Sequence, residues 1–91
     1  MYVEWKYEEI NCKMNNKFLN EEILSKCNFR YSYLKGAKFI DINIEGVNLS
    51  YSNLEEVNIK NSILSHLIFD NACLNYSIIQ GTEFKSCFFT S

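Results

Sequence analysis

From Cys27 onward, apolar residues recur with a period of five. Cut in fives, the chain reads CNFRY SYLKG AKFID INIEG VNLSY SNLEE VNIKN SILSH LIFDN ACLNY SIIQG TEFKS CFFTS. The third residue of every block is Leu, Ile or Phe, from Phe29, Leu34 and Phe39 through to Ile79, Phe84 and Phe89. The first residue is always small or aliphatic. A period of five drifts around a 3.6-residue helical turn and leaves no apolar stripe. Positions one and three on one side, with position two opposite, is the alternation of a strand. All three glycines, Gly36, Gly46 and Gly81, fall at the fifth position, where a sharp turn favours positive φ. The pattern predicts a short extended segment, a corner, another segment and so on. The chain then winds into a solenoid with positions one and three inside. The absence of Pro suits a backbone whose N–H groups bond between stacked turns.

The first 26 residues are less regular. CKMNN, KFLNE and EILSK carry the register back through Met14, Leu19 and Leu24, but Lys17 and Glu22 at first positions do not suit a core. An irregular cap or distorted first coil is expected over residues 1–26, with a helix over Asn16–Ser25 as the alternative. MYVEWKY alternates Val3, Trp5 and Tyr7 like a strand, and Trp5 suits an end plug. Solenoids need such caps, because an open end exposes core and unpaired strand edges.

Blocks such as AKFID, VNLSY, SNLEE, VNIKN and ACLNY resemble the A(D/N)LXX repeat of the pentapeptide-repeat family, and the resemblance spans residues 27–91. It implies an all-β fold: a right-handed quadrilateral parallel β-helix, four blocks or 20 residues per coil, with about three to four coils stacked at strand spacing.

Composition narrows the function. The chain has 91 residues, 47% of them hydrophobic and 15% aromatic, which calls for a packed core rather than disorder. The net charge is −2, and a protein that neutralises phosphates needs a clustered basic face, so direct nucleic-acid binding is not expected. No stretch approaches 18 consecutive apolar residues and the start lacks a signal-peptide pattern, so neither a membrane span nor a secretory leader is expected. Cys12, Cys27, Cys73 and Cys87 show no CxxC and no nearby His, which argues against a metal site. In a 20-residue coil Cys27 and Cys87 lie about 14 Å apart, too far for a disulfide. Reduced thiols and a cytoplasmic home are expected. His66 sits at a corner and Glu55–Glu56 is an adjacent, not a facing, carboxylate pair. No nucleophile, base and orienting group can be written from these residues, so neither catalysis nor a cofactor is expected.

The outward second positions run polar through Asn43, Asn48, Asn53 and Asn58, then turn apolar at Ile63, Ile68, Cys73 and Ile78. That is one complete trip round four faces. Phe88 lies one coil beyond Ile68, and Phe89 sits beside it at the rim. An apolar girdle next to an open edge points to cover by another chain. Ile63, Ile68, Cys73, Ile78, Phe88 and Phe89 are the candidate interface, and a two-fold dimer through the C-terminal coils is the arrangement that closes. Tyr31 and Tyr51, stacked at one corner, form a possible second binding face. The resemblance agrees, since several members of the family form end-to-end dimers. It also implies a protein-binding role: rods that protect DNA gyrase, immunity factors against peptide toxins, and phage proteins that block a host machine. In residues 27–91 Asp41, Glu45, Glu55, Glu56, Asp70 and Glu83 face Arg30, Lys35, Lys38, Lys60 and Lys85. A rod so nearly neutral is a poor imitation of duplex DNA. An inhibitor or immunity protein acting on a protein target, of the phage anti-defence kind, fits better. The alternative is a structural scaffold whose role is assembly alone.

Overall fold

A computed structural model describes residues 12–25 and 29–90. Six three-residue strands follow one another: β1 Lys38–Ile40, β2 Asn43–Glu45, β3 Asn58–Lys60, β4 Ile63–Ser65, β5 Ile78–Gln80 and β6 Glu83–Lys85. They form two parallel three-stranded sheets, ordered β1-β3-β5 and β2-β4-β6. Partners are 20 residues apart, Phe39 with Ile59 and Ile79, and Ile44 with Leu64 and Phe84. Single bridges keep the same spacing elsewhere, through Tyr33, Asn53 and Cys73 and through Asn48, Ile68 and Phe88. Four blocks therefore return the chain over itself. Face one carries Leu49, Phe69 and Phe89, face two Leu34, Leu54 and Leu74, face three β1, β3 and β5, and face four β2, β4 and β6.

Backbone bonds tie each coil to both neighbours. The N–H groups of Leu34, Leu49, Leu54 and Phe69 donate forward to the carbonyls of Asn53, Ile68, Cys73 and Phe88 at 2.7–2.8 Å. Those of Asn53, Asn58, Ile63 and Cys73 donate back to Ser32, Ala37, Ile42 and Ser52 at 2.9 Å. The corners are as the glycines predict. Gly36, Gly46 and Gly81 have positive φ, and so do ten non-glycine residues at fifth positions, among them Tyr31, Asp41, Tyr51, Glu56 and His66. A left-handed backbone costs an L-residue about 1–2 kcal/mol, so the ladder must hold these corners in place.

Inside, Leu34, Phe39, Leu49, Leu54, Ile59 and Leu64 are fully buried, with Ala37, Val57 and Leu67 filling the first positions. Polar first positions bond to backbone. The Ser52 hydroxyl donates to the Phe29 carbonyl at 2.6 Å and accepts from the Ser32 N–H at 3.2 Å. Ser62 does the same between Phe39 and Ile42, at 3.2 Å each way.

The register runs back beyond the regular blocks. Lys13 bridges to Tyr33 and Phe18 to Lys38, and Leu19 is buried. The following block is instead a short helix, α1, Glu21–Ser25. Asn20 caps it, its side-chain oxygen accepting from the Ile23 N–H at 2.9 Å, which satisfies an otherwise orphaned donor. Leu24 is buried while Lys17 and Glu22 are exposed. The helix covers only Glu21–Ser25, and the stretch before it keeps the coil register. The expectations for Val3, Trp5, Tyr7 and Cys27 concern residues outside those described.

Candidate interaction surface

The second position of each block points away from the core, but stacking changes what it exposes. Ile63 lies between Asn43 and Glu83 on face four, and Ile68 between Asn48 and Phe88 on face one. Flanked on both sides, each is half-buried. Cys73 is 1% exposed, so its thiol contributes nothing to an accessible surface. The continuous apolar girdle drawn from the sequence is therefore broken on face two and thin on faces four and one. The Asn residues at this position also do more than face water. The side-chain oxygens of Asn48 and Asn53 accept from the N–H groups of Ser50 and Glu55, at 3.0 and 2.9 Å. These bonds steady the backbone as it enters each corner, as Asx turns do.

The exposed apolar surface gathers at the C-terminal end of the described coils. Ile78 is 49% and Phe88 57% exposed on the outer side. Beside them stand third-position residues that the sequence pattern assigns to the core: Ile79 and Phe89 are exposed and Leu74 and Phe84 half-buried. No described coil lies beyond them. Phe89 stacks on Phe69 with centroids 4.8 Å apart and meets Phe84 edge-on at 5.6 Å. The result is an aromatic floor bordered by β5 and β6. Repeat periodicity alone could not expose Ile79 and Phe84; their place in the last described coil is the signal that could have.

The remaining candidates sit elsewhere. The Tyr31 and Tyr51 rings stack at 4.9 Å and 11°, half-buried, with the Arg30 guanidinium 5.3 Å from the Tyr31 ring. Lys35 bridges Glu55 and Glu56 at 3.3 and 3.4 Å. Its ammonium pKa is raised, first by the hydrogen bond to Glu55 and then by that to Glu56. His66 is exposed at its corner, its Nδ1 3.6 Å from Glu45. Cys12, Cys73 and Cys87 are not disulfide-bonded. An open concavity between α1 and β2 is lined by Glu21, Asn43, Ile44 and Glu45. Among the described residues no cluster of His, Cys, Asp and Glu could hold a metal, and no helix is long and apolar enough to cross a membrane.

Stacked five-residue blocks, parallel pairing at a 20-residue interval and one apolar core define a β-helix solenoid. The pentapeptide repeats model matches in eight copies, over residues 19–50, 37–75 and 52–90. The chain belongs to the pentapeptide-repeat family, whose members are typically structural or binding proteins rather than enzymes. No match is found among curated proteins.

Proposed function

We propose that this chain is a non-enzymatic, protein-binding rod that works as a homodimer through its C-terminal coil. In this reading the rod is a right-handed quadrilateral β-helix of three to four coils, active in the cytoplasm of a bacterial or phage-infected cell. Its task is to antagonise or protect a protein target, as an anti-defence, immunity or topoisomerase-protection factor would.

The observation that carries the reading is the exposed apolar surface of the last described coil. Ile79, Phe84 and Phe89 form an apolar floor, Ile78 and Phe88 extend it to the outer surface, and β5 and β6 offer strand edges. Large exposed apolar patches mark association surfaces, and bare strand edges pair with other chains. Two copies meeting end to end cover both patches with one isologous contact that cannot propagate. The dimer then leaves its lateral faces, polar along Asn43, Asn48 and Asn58, for the target.

Light scattering on the unaltered chain and on an Ile78→Glu, Phe88→Glu double variant tests this. The expected result is twice the chain mass for the first and a folded single chain for the second. An unaltered chain that stays single at about 100 μM, far above ordinary dimer dissociation constants, would refute the dimer. A dimer whose disruption never alters capture of any third protein would favour the scaffold reading.

A further inference from the structure

On face four the strand ladder begins one coil later than on faces two and three. There the first regular block rests on one before it, the carbonyls of Cys12 and Lys17 accepting from the Tyr33 and Lys38 N–H groups at 2.9 and 2.8 Å. On face four the block due beneath β2 is α1 instead. Leu24 still fills its third position and is buried, so the core is served. A helix, however, uses its backbone groups on itself, as where the Leu24 N–H donates to the Asn20 carbonyl at 3.0 Å. Among the described residues no strand pairs with β2 on the side of α1.

The later coils show which groups this leaves open. Second-position N–H groups on face four donate toward α1, Ile63 to the Ile42 carbonyl at 2.9 Å and Glu83 to that of Ser62 at 3.0 Å. Fourth-position carbonyls accept from the same side, Ser65 from the Gly46 N–H at 2.9 Å and Lys85 from that of His66 at 2.8 Å. In β2 the equivalents are the Asn43 N–H and the Glu45 carbonyl, and neither has a backbone partner among the described residues. Exposure agrees. Asn43 and Glu45 are exposed, whereas the outward residues of β1 and β4 are half-buried. The open concavity lies against this edge, and of Glu21, Asn43, Ile44 and Glu45 lining it two are carboxylates and none is basic. Glu45 has the exposed His66 beside it at 3.6 Å, and among the described residues no Lys or Arg pairs with either carboxylate.

We propose that the edge of β2 facing α1 accepts an extended segment of a partner protein as one further strand, with Lys or Arg at the alternate positions that meet Glu45 and Glu21. Main-chain bonds to Asn43 and Glu45 supply the attachment and the alternate side chains the selectivity, as in other strand additions. A basic residue opposite Glu45 stands within about 5 Å of it across the pair. The site lies at the α1 end of the described coils, away from the aromatic floor, and does not rest on the dimer.

A blocked peptide of alternating Thr and Lys, titrated into the isotope-labelled full-length chain, tests this by backbone NMR. Shifts centred on β2 and α1 are expected, with the Asn43 amide exchanging about tenfold or more slowly at saturation, as for a newly paired donor. A Glu21→Gln, Glu45→Gln double variant should bind about five- to tenfold more weakly, its spectrum otherwise unchanged. The Thr–Lys peptide with methylated amide nitrogens keeps the charge but cannot pair as a strand, and should lose most of its affinity. An Asn43 amide unaffected by millimolar peptide would overturn the proposal. So would equal binding of the methylated peptide or of one alternating Thr and Glu. Protection of Asn43 that grows with chain concentration alone would give the edge to a second copy and overturn it as well.

Discussion

Ile59 and Ile79 are register partners on face three, with identical side chains in identical block positions. They differ in what lies beyond them. Ile59 has Phe39 on one side and Ile79 on the other and is 1% exposed, whereas Ile79 is the last described member of the column and is 43% exposed. Replacing either by Ala removes the same carbons. For Ile59, the lost transfer energy and the enclosed cavity together cost about 3 kcal/mol, within the usual range for buried aliphatic-to-Ala changes. For Ile79 only a little over half of the transfer energy is at stake and no closed cavity forms, so about 1–1.5 kcal/mol is expected. Urea unfolding at micromolar protein resolves the two, since about 2 kcal/mol moves a midpoint by about 1 M or more in a small domain. At high protein concentration, end-to-end association would cover Ile79 and raise the cost of its loss, while the cost at Ile59 stays fixed. Equal losses at micromolar protein would refute the argument that exposure, and not block position, sets the cost.

Two further substitutions probe the corners, again by urea unfolding. Asn53→Ala removes the acceptor for the Glu55 N–H and should cost about 1 kcal/mol, while Asn53→Asp keeps an acceptor and should cost less. Gly46→Ala meets open space and should cost about 1 kcal/mol for its left-handed backbone; Gly36→Ala should cost more, because its new methyl group runs into the Asn16 side chain. Shortening that obstacle with Asn16→Ser should recover part of the Gly36→Ala loss.

The repeat was legible because its causes are local. Third-position Leu, Ile and Phe, small first positions and fifth-position glycines each follow from what one block needs. They locate the core and the corners without knowledge of any neighbour. Exposure is a property of neighbours, and there the reading fell short. Ile63 and Ile68 look free in the sequence but are flanked 20 residues away on either side. Ile79 looks buried but is 43% exposed with no described coil beyond it, and Cys73 looks outward-facing yet is buried. The hydrogen-bonding of Asn48 and Asn53 was hidden too, since a polar residue at an outward position satisfies both a solvated and a backbone-bonding reading. Lys17 and Glu22 at first positions read alike in the sequence, yet the register holds at the first, where Phe18 pairs with Lys38 and Leu19 is buried, and gives way to α1 at the second.

The 20-residue register also restricts how such a gene can change length. Inserting one residue into a block would turn every later side chain to the opposite side, exchanging Leu54-type positions for Asn53-type ones. Inserting five preserves the inside and outside but advances all later blocks by one face, so Tyr51 would no longer stand over Tyr31 and the serine relays would lose their partners. Only duplication of a whole 20-residue unit adds height while returning each side chain to its own column. Lengthening by entire turns is thus the change in size this architecture accepts most readily, and each one carries the aromatic floor, unaltered, further from α1.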